Sequence, residues 1–219
     1  MNPVRLLLAT HNDQKLLELR RILASSDLGF QVVGLADVPP FPPAPETAAT
    51  FEGNALAKAR DAAVATGLVA VADDSGLEVD ALGGMPGVLS ARWAGHHGDD
   101  GANLRLVLDQ LVDVPDERRG AAFVCAAALV VPPGAQVLGA QVLGGQVGGT
   151  ETVVRGHWRG TLTRVARGGN GFGYDPIFIP DGDRRTAAEL DPAEKDAVSH
   201  RGRALRALLP ALRAARSVV

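Results

Sequence analysis

Apolar residues along the chain fall into short blocks, and the spacing inside each block predicts its local structure. Residues 4–9 form a short apolar run of strand length, broken by Arg5 alone, that stops at Thr10-His11-Asn12. Leu16, Leu17, Leu19, Ile22 and Leu23 then recur at helical spacing. The chain therefore opens as strand, polar turn, helix, and a second strand is expected at residues 31–35. Thr50 is placed to cap an alanine-rich helix reaching about residue 65. Residues 68–72 read as another buried strand, ending at Asp73-Asp74-Ser75-Gly76. Asp99 or Asp100 is expected to cap a helix carrying Leu104, Val107, Leu108 and Leu111. Residues 123–131 are apolar throughout, the pattern of a strand buried on both faces. A further strand is expected at residues 161–166. Asp191-Pro192-Ala193-Glu194 has the form of a capping box with proline at the first helical position. Ser199 is expected to cap a last helix with a stripe of Leu205, Leu208, Leu209 and Leu212, which Pro210 should kink or shorten.

Strands alternate with helices early and cluster later, which predicts an α/β or α+β fold with a mixed sheet. Prolines crowd residues 38–46 and exclude a helix or central strand there, leaving a stiff loop that delivers Glu46. Residues 133–149 are glycine-rich and repeat Ala-Gln-Val-Leu-Gly, at 135–139 and 140–144, as an embellished hairpin or flexible loop.

Composition narrows the class of protein. The 219 residues are 46% hydrophobic and 21% charged, ordinary globular usage. The net charge of −3 and the lack of a basic stripe argue against a nucleic-acid partner. Cys125 is the sole cysteine, so no internal disulfide forms. No apolar run reaches the roughly 20 residues of a membrane helix, and the N-terminus lacks a secretory apolar region. A cytoplasmic protein without a membrane partner is the expectation.

Four polar or glycine-rich segments sit at the ends of predicted elements, where a fold presents chemistry. In Thr10-His11-Asn12-Asp13-Gln14-Lys15 a helix begins. Its free N–H groups attract phosphate, and Thr10, Asn12 and Lys15 add donors; an asparagine-capped helix with a surface lysine is the plainer reading. The Walker phosphate-loop pattern is absent from the chain. In Asp73-Asp74, alternation along a strand lets one carboxylate face a given cleft and leaves the other structural. Metal binding or base catalysis competes there with a simple turn, and Glu46 is a candidate partner carboxylate for magnesium. In the segment 168–176, glycines let backbone approach a ligand, and Phe172 or Tyr174 is able to lie against a base; a tight turn with one core aromatic is the alternative. In the fourth, Lys195 and Ser199-His200-Arg201-Gly202 offer donors to phosphate or carbonyl oxygen, or form a solvated helix end. His96-His97-Gly98-Asp99-Asp100 is set aside as a metal site because adjacent histidines diverge and the aspartates have a capping role. Cys125 reads as an inert core residue.

Taken together these segments resemble the Ham1 family of inosine triphosphate pyrophosphatases, the RdgB type of bacteria. The resemblance runs from about residue 4 to about residue 213. It is carried by Ala9-Thr10-His11-Asn12 with Lys15 and Glu18, by Thr50-Phe51 with Asn54-Ala55 and Lys58-Ala59, and by Ala72-Asp73-Asp74-Ser75-Gly76-Leu77-Glu78-Val79 continuing through Gly83-Gly84, Pro86-Gly87-Val88 and Ser90-Ala91-Arg92. Gly171-Phe172-Gly173-Tyr174-Asp175-Pro176-Ile177-Phe178 and Ser199-His200-Arg201-Gly202 with Ala204-Leu205 complete it.

The resemblance implies one catalytic domain over residues 1–219. It implies an elongated mixed sheet flanked by helices, with two lobes around a cleft, in a homodimer. It also implies a magnesium-dependent enzyme, manganese being a possible substitute, that splits ITP, dITP and XTP into monophosphate and pyrophosphate. By the same resemblance Asp74 is proton acceptor and metal ligand, and Glu46 a carboxylate near the metal. Thr10, His11, Asn12, Asp13, Gln14 and Lys15 hold the triphosphate with Ser75 nearby. Phe172, Gly173, Tyr174 and Asp175 meet base and sugar, and Lys195, His200 and Arg201 complete recognition. The sequence departs from the family at Gly53, where Glu is frequent, at Asn170, and in the length of 133–149. Rival readings are a Maf-like pyrophosphatase of other nucleotides and a non-catalytic nucleotide-binding module.

Overall fold

The computed structural model describes residues 4–26, 28–133 and 150–216. Apart from Pro133, the glycine-rich insertion lies outside the described residues. Strands β1 (Val4–Leu8), β2 (Phe30–Val33), β3 (Val69–Val79), β4 (Gly120–Val131), β5 (Thr150–Leu162) and β6 (Phe178–Pro180) make a six-stranded sheet of order β2-β1-β3-β4-β5-β6. β1 lies parallel to β2 and β3, while β5 and β6 are antiparallel. The sheet is therefore mixed, and the fold is α/β. Helices are α1 (Asp13–Ala24), α2 (Phe51–Thr66), α3 (Asp100–Gln110), α4 (Pro192–Val198) and α5 (His200–Arg216).

The helices begin where the caps predict. Asn12 accepts from the Lys15 N–H, Thr50 from Gly53, Asp99 from Ala102 and Ser199 from Gly202, each satisfying a donor the first turn leaves over. At α4 half of the expected capping box forms. Glu194 accepts from the Asp191 N–H, but the Asp191 side chain makes no cap bond.

Three expectations are corrected. β3 does not stop at Asp73 but runs through both aspartates to Val79; its acidic residues find cationic and amide partners, so the strand need not end to solvate them. The strand expected at 161–166 is instead β5, which ends at Leu162. Its inward positions are Gly156, Trp158, Gly160 and Leu162, and the two glycines hide the alternation from a hydrophobicity count. At Gly160 a side chain would collide with the Ile179 carbonyl of β6, so close strand approach requires glycine. α5 is also not shortened at exposed Pro210 but runs on to Arg216.

The chain divides into two compact units. Residues 1–74, 126–155 and 204–219 form one. There Leu6, Leu7 and Leu8 of β1, the alanine face of α2 (Ala55, Ala59, Ala62, Ala63) and Leu205, Leu208 and Leu212 of α5 are buried. Ion pairs Arg60–Glu151 and Arg155–Glu52 join α2 to β5 on its surface. Residues 75–125 and 156–203 form the other. Its core gathers Leu77, Val107, Leu111, Phe123, Trp158, Tyr174 and Phe178. Buried Arg119 donates there to the carbonyls of Leu111, Leu162 and Thr163, and burial holds its pKa below the usual guanidinium value. Cys125 is buried in β4, as expected of a core residue.

Candidate active site

The first unit places three acidic and two cationic side chains around the middle of β3. Alternation along the strand separates the two aspartates. Asp73 accepts from Lys15 Nζ at 2.8 Å. Asp74 accepts from Asn54 Nδ2 through Oδ2 at 3.0 Å and from Lys58 Nζ through Oδ1 at 3.1 Å. The same Lys58 ammonium donates to Glu46 Oε1 at 3.0 Å, so the proline-rich loop does bring Glu46 beside Asp74. Asn54 Oδ1 accepts from the Ala48 N–H at 2.9 Å. The result is a closed ring of contacts: Glu46, Lys58, Asp74, Asn54 and the backbone at Ala48. Asn54 and Lys58 are one turn apart on α2, a spacing that puts both on the same face.

Gly53 explains how the loop comes so near. A Cβ there would stand 2.6 Å from the Ala48 Cβ, closer than carbon atoms approach. Glu52 does not stand in for a glutamate at 53, because its carboxylate is paired with Arg155.

Burial and charge shift the titrating groups. Burial raises the Asp74 pKa above the usual carboxylate value; Lys58 and the Asn54 amide oppose this, and Glu46 adds to it. Burial of Lys58 disfavours its charge, but Asp74, Asp73 and Glu46 more than offset that, and its pKa is raised.

Thr10 to Lys15 lie where β1 gives way to α1. The Thr10 hydroxyl accepts from the Asn12 N–H, Asn12 caps the helix, and His11, Asp13 and Gln14 are exposed. The Asp13 and Gln14 N–H groups have no acceptor within the helix, as helix geometry dictates. Ser75 follows Asp74 along β3 and is half-buried.

The second unit carries the glycine and aromatic turn. Asp175, 2% exposed, accepts from Lys195 Nζ and from the Phe172 N–H. Its burial raises its pKa, opposed by Lys195 and the Phe172 N–H, with a further rise from Asp100. Gly171 has a φ of 79°, and a side chain there would run into the Asp175 carboxylate. Phe172 is 41% exposed, and Lys195 Nζ lies 5.3 Å from its ring centroid. Tyr174 corrects an expectation. Its ring belongs to the core, and its hydroxyl donates to the Ser90 carbonyl at 2.8 Å. Phe172 is therefore the aromatic of this turn that offers a face to a ligand. The His200 ring stacks on Phe123 at 4.8 Å between centroids, and Arg201 beside it is buried.

Asn54 and Lys58 are site residues to which the sequence pattern by itself assigns no role. Their one-turn spacing beside the Glu46 loop was the available signal.

Comparison with known proteins identifies the family. The model of the Ham1 family matches residues 6–211. The chain belongs to the Ham1 family. A relative from Nocardia farcinica, named dITP/XTP pyrophosphatase, is 65% identical and aligns over 98% of this chain and 97% of its own. A solved structure from Mycobacterium abscessus, described as nucleoside-triphosphatase or dITP/XTP pyrophosphatase, is 58% identical over 94% of this chain and 100% of that one, with a TM-score of 0.72. A Ham1 protein from Coxiella burnetii is 41% identical over 95% and 98% of the two chains, with a TM-score of 0.78. The Ham1 motifs quoted from the sequence thus lie in a fold that Ham1 proteins share. Among the described residues no helix is long and apolar enough to cross a membrane.

Proposed function

We propose that the chain is a pyrophosphatase of non-standard purine nucleoside triphosphates. It converts ITP, dITP and XTP to the monophosphate and pyrophosphate, clearing them from the nucleotide pool, with magnesium as cofactor and manganese as a possible substitute. The observation that carries this reading is the meeting of Glu46 and Asp74 on one ammonium group, with the adjacent residue of the strand, Asp73, paired to Lys15 in the first turn of α1, a helix start suited to phosphate. The names of the relatives support the same substrate class.

The residues present fit magnesium. That ion takes one or two carboxylates and completes its shell with phosphate oxygens and water. Among the described residues no three His, Cys, Asp or Glu side chains gather as a metal set; Glu46 and Asp74, which share the Lys58 ammonium, are the two carboxylates that would hold the ion. When bound, the ion would neutralise charge on the triphosphate and polarise its phosphorus.

The remaining steps fall to the chain. The α1 start, Lys15 and Ser75 hold the triphosphate. Asn54 and Lys58 fix the Asp74 carboxylate, whose raised pKa makes it a stronger base than an ordinary aspartate. Asp74 takes the proton of a water whose oxygen bonds to the α-phosphorus, and the bond to the pyrophosphate oxygen breaks. Phe172 offers its face to the base. Gly173, Asp175 and Lys195 shape that turn, and His200 and Arg201 supply donors. Hypoxanthine and xanthine present a carbonyl at position 6 where adenine presents an amine, so donors here favour the former. Donor facing donor would cost about 1–3 kcal/mol for each buried group left unpaired.

The test is one assay. Purified protein with magnesium is given a panel of nucleoside triphosphates, and pyrophosphate and orthophosphate are measured separately. Pyrophosphate released from ITP and XTP far faster than from ATP supports the reading. Stoichiometric nucleotide binding without pyrophosphate release would leave a binding module, and a preference for pyrimidine substrates would favour the Maf-like alternative. The homodimer and a cytoplasmic location belong to the same proposal through the family resemblance, and sedimentation of the purified protein tests the former.

A further inference from the structure

The turn that carries Phe172 is held by two carboxylates from different parts of the second unit. The Phe172 N–H donates to Asp175 at 2.8 Å, and the next N–H along, that of Gly173, donates to Asp100 Oδ2 at 2.8 Å. Asp175 is buried and belongs to the turn itself, three residues on. Asp100 is exposed and lies 73 residues away, at the first position of α3. Its neighbour Asp99 already caps α3 through the Ala102 N–H at 2.9 Å. Asp100 is therefore not needed as the cap, and its carboxylate reaches out of the helix to the turn.

The tie has a consequence for the ring. Gly171 and Gly173 both have positive φ, 79° and 63°, so Phe172 sits between two residues with wide backbone freedom. Successive N–H groups in such a turn form a concave donor pair that attracts an anion. With each donor held by its own carboxylate, the peptide planes on both sides of Phe172 are fixed, and so is the direction of its exposed face.

We propose that Asp100 is a positioning residue for nucleotide recognition: it pins the Gly173 N–H and so orders the Phe172 face that receives the base. This rests on the reading of that turn as the base-binding element. Base contact contributes equally to substrate and transition state, so its loss appears in KM and leaves kcat in place.

The experiment compares Asp100→Ala, Asp100→Asn and Asp99→Ala with the intact protein. It measures kcat and KM for ITP, calorimetric affinity for inosine monophosphate, and thermal midpoint. Asp100→Ala is expected to raise KM and weaken inosine monophosphate binding by about tenfold, as for loss of one hydrogen bond to a charged group, with kcat within about twofold of the intact protein. Asparagine keeps an oxygen that accepts from Gly173, so Asp100→Asn should stay within about threefold of the intact protein on both measures. Asp99→Ala should lower the midpoint through loss of the cap while nucleotide affinity holds. Equal KM and affinity in Asp100→Ala and the intact protein overturns the tether. So does an Asp100→Asn variant as impaired as Asp100→Ala, which would assign the effect to charge at the helix start. An intact protein that binds no inosine monophosphate overturns the reading of the turn itself, and the tether with it.

Discussion

The two units each keep carboxylates out of water, and they balance them differently. In the second, Asp175 meets one ammonium, Lys195, and one backbone N–H, so charge is matched one to one. In the first, Asp73, Asp74 and Glu46 meet Lys15 and Lys58. There one ammonium, Lys58, is shared by Asp74 and Glu46, while Lys15 of the first turn of α1 holds Asp73. The pair at Asp175 fixes a backbone turn, while Lys58 holds together carboxylates from a strand and a loop. Burial alone therefore does not mark a chemical site; titratable groups converging from separate elements are its sign.

Removing Asp74 breaks this comparison most sharply. Asp74→Asn keeps the shape and the Lys58 and Asn54 neighbours but loses the base. Loss of a general base costs about 10²–10⁴ in rate. Turnover of ITP measured at saturating magnesium should fall by at least that lower figure. A variant keeping more than about a tenth of the rate, less than about 1.4 kcal/mol lost, removes Asp74 from the role of proton acceptor.

The pH profile sharpens the same point. With Asp74 as the proposed proton acceptor, kcat should fall on acidification through a pKa above the ordinary aspartate value of about 3.9. Stability runs the other way. A carboxyl whose folded pKa is raised contributes stability that is complete below its unfolded pKa and lost as pH rises through the folded one. Thermal midpoints of the intact protein relative to Asp74→Asn should therefore decline with rising pH across the window in which activity climbs. Parallel midpoint curves would show that burial does not raise this group.

What could be read in advance follows from where the physics is local. Helix starts were legible because Asn12, Thr50, Asp99 and Ser199 each accept from the N–H three residues on. Strand β4 was legible because every position is apolar. β5 was not, because glycine at 156 and 160 fills inward positions, and at 160 the reason is the neighbouring strand β6. The end of β3 was misplaced because Asp73 and Asp74 look unfit for a buried strand until Lys15, Asn54 and Lys58 arrive from other elements. Glu46 was foreseen as a partner of Asp74. The ammonium between them was not, since a lysine on an alanine-rich helix reads by itself as solvated. Tyr174 went wrong for the converse reason: its Ser90 acceptor is 84 residues away.

A smaller effect tests how the ring of contacts in the first unit is held. Alanine in place of a helical glycine ordinarily stabilises by about 1 kcal/mol. Gly53→Ala should reverse that sign, because its Cβ meets Ala48 and pushes on the loop that carries Glu46. Overpacking costs about 1–3 kcal/mol, so a net loss of about 1 kcal/mol should lower the midpoint by about 2–4 °C for a chain of this size. Manganese binding, followed by electron paramagnetic resonance without nucleotide turnover, should weaken in the same variant. A midpoint that rises, with manganese affinity unchanged, would mean that Gly53 sets neither the loop nor the metal.

Tyr174→Phe is the mildest change and separates the two aromatics of the glycine turn. It removes one buried hydrogen bond, the donor to the Ser90 carbonyl, and leaves the ring in the core. About 1 kcal/mol of stability should go, seen as a fall of a few degrees in the thermal midpoint. KM for ITP should not move, because the hydroxyl points to backbone that belongs to the core. Phe172 makes the opposite case, since its ring is exposed and replacing it with alanine should raise KM with little effect on the midpoint. If instead Tyr174→Phe raised KM while the midpoint stayed put, the hydroxyl would be a ligand contact, and the division between a core aromatic and a base-facing one would fail.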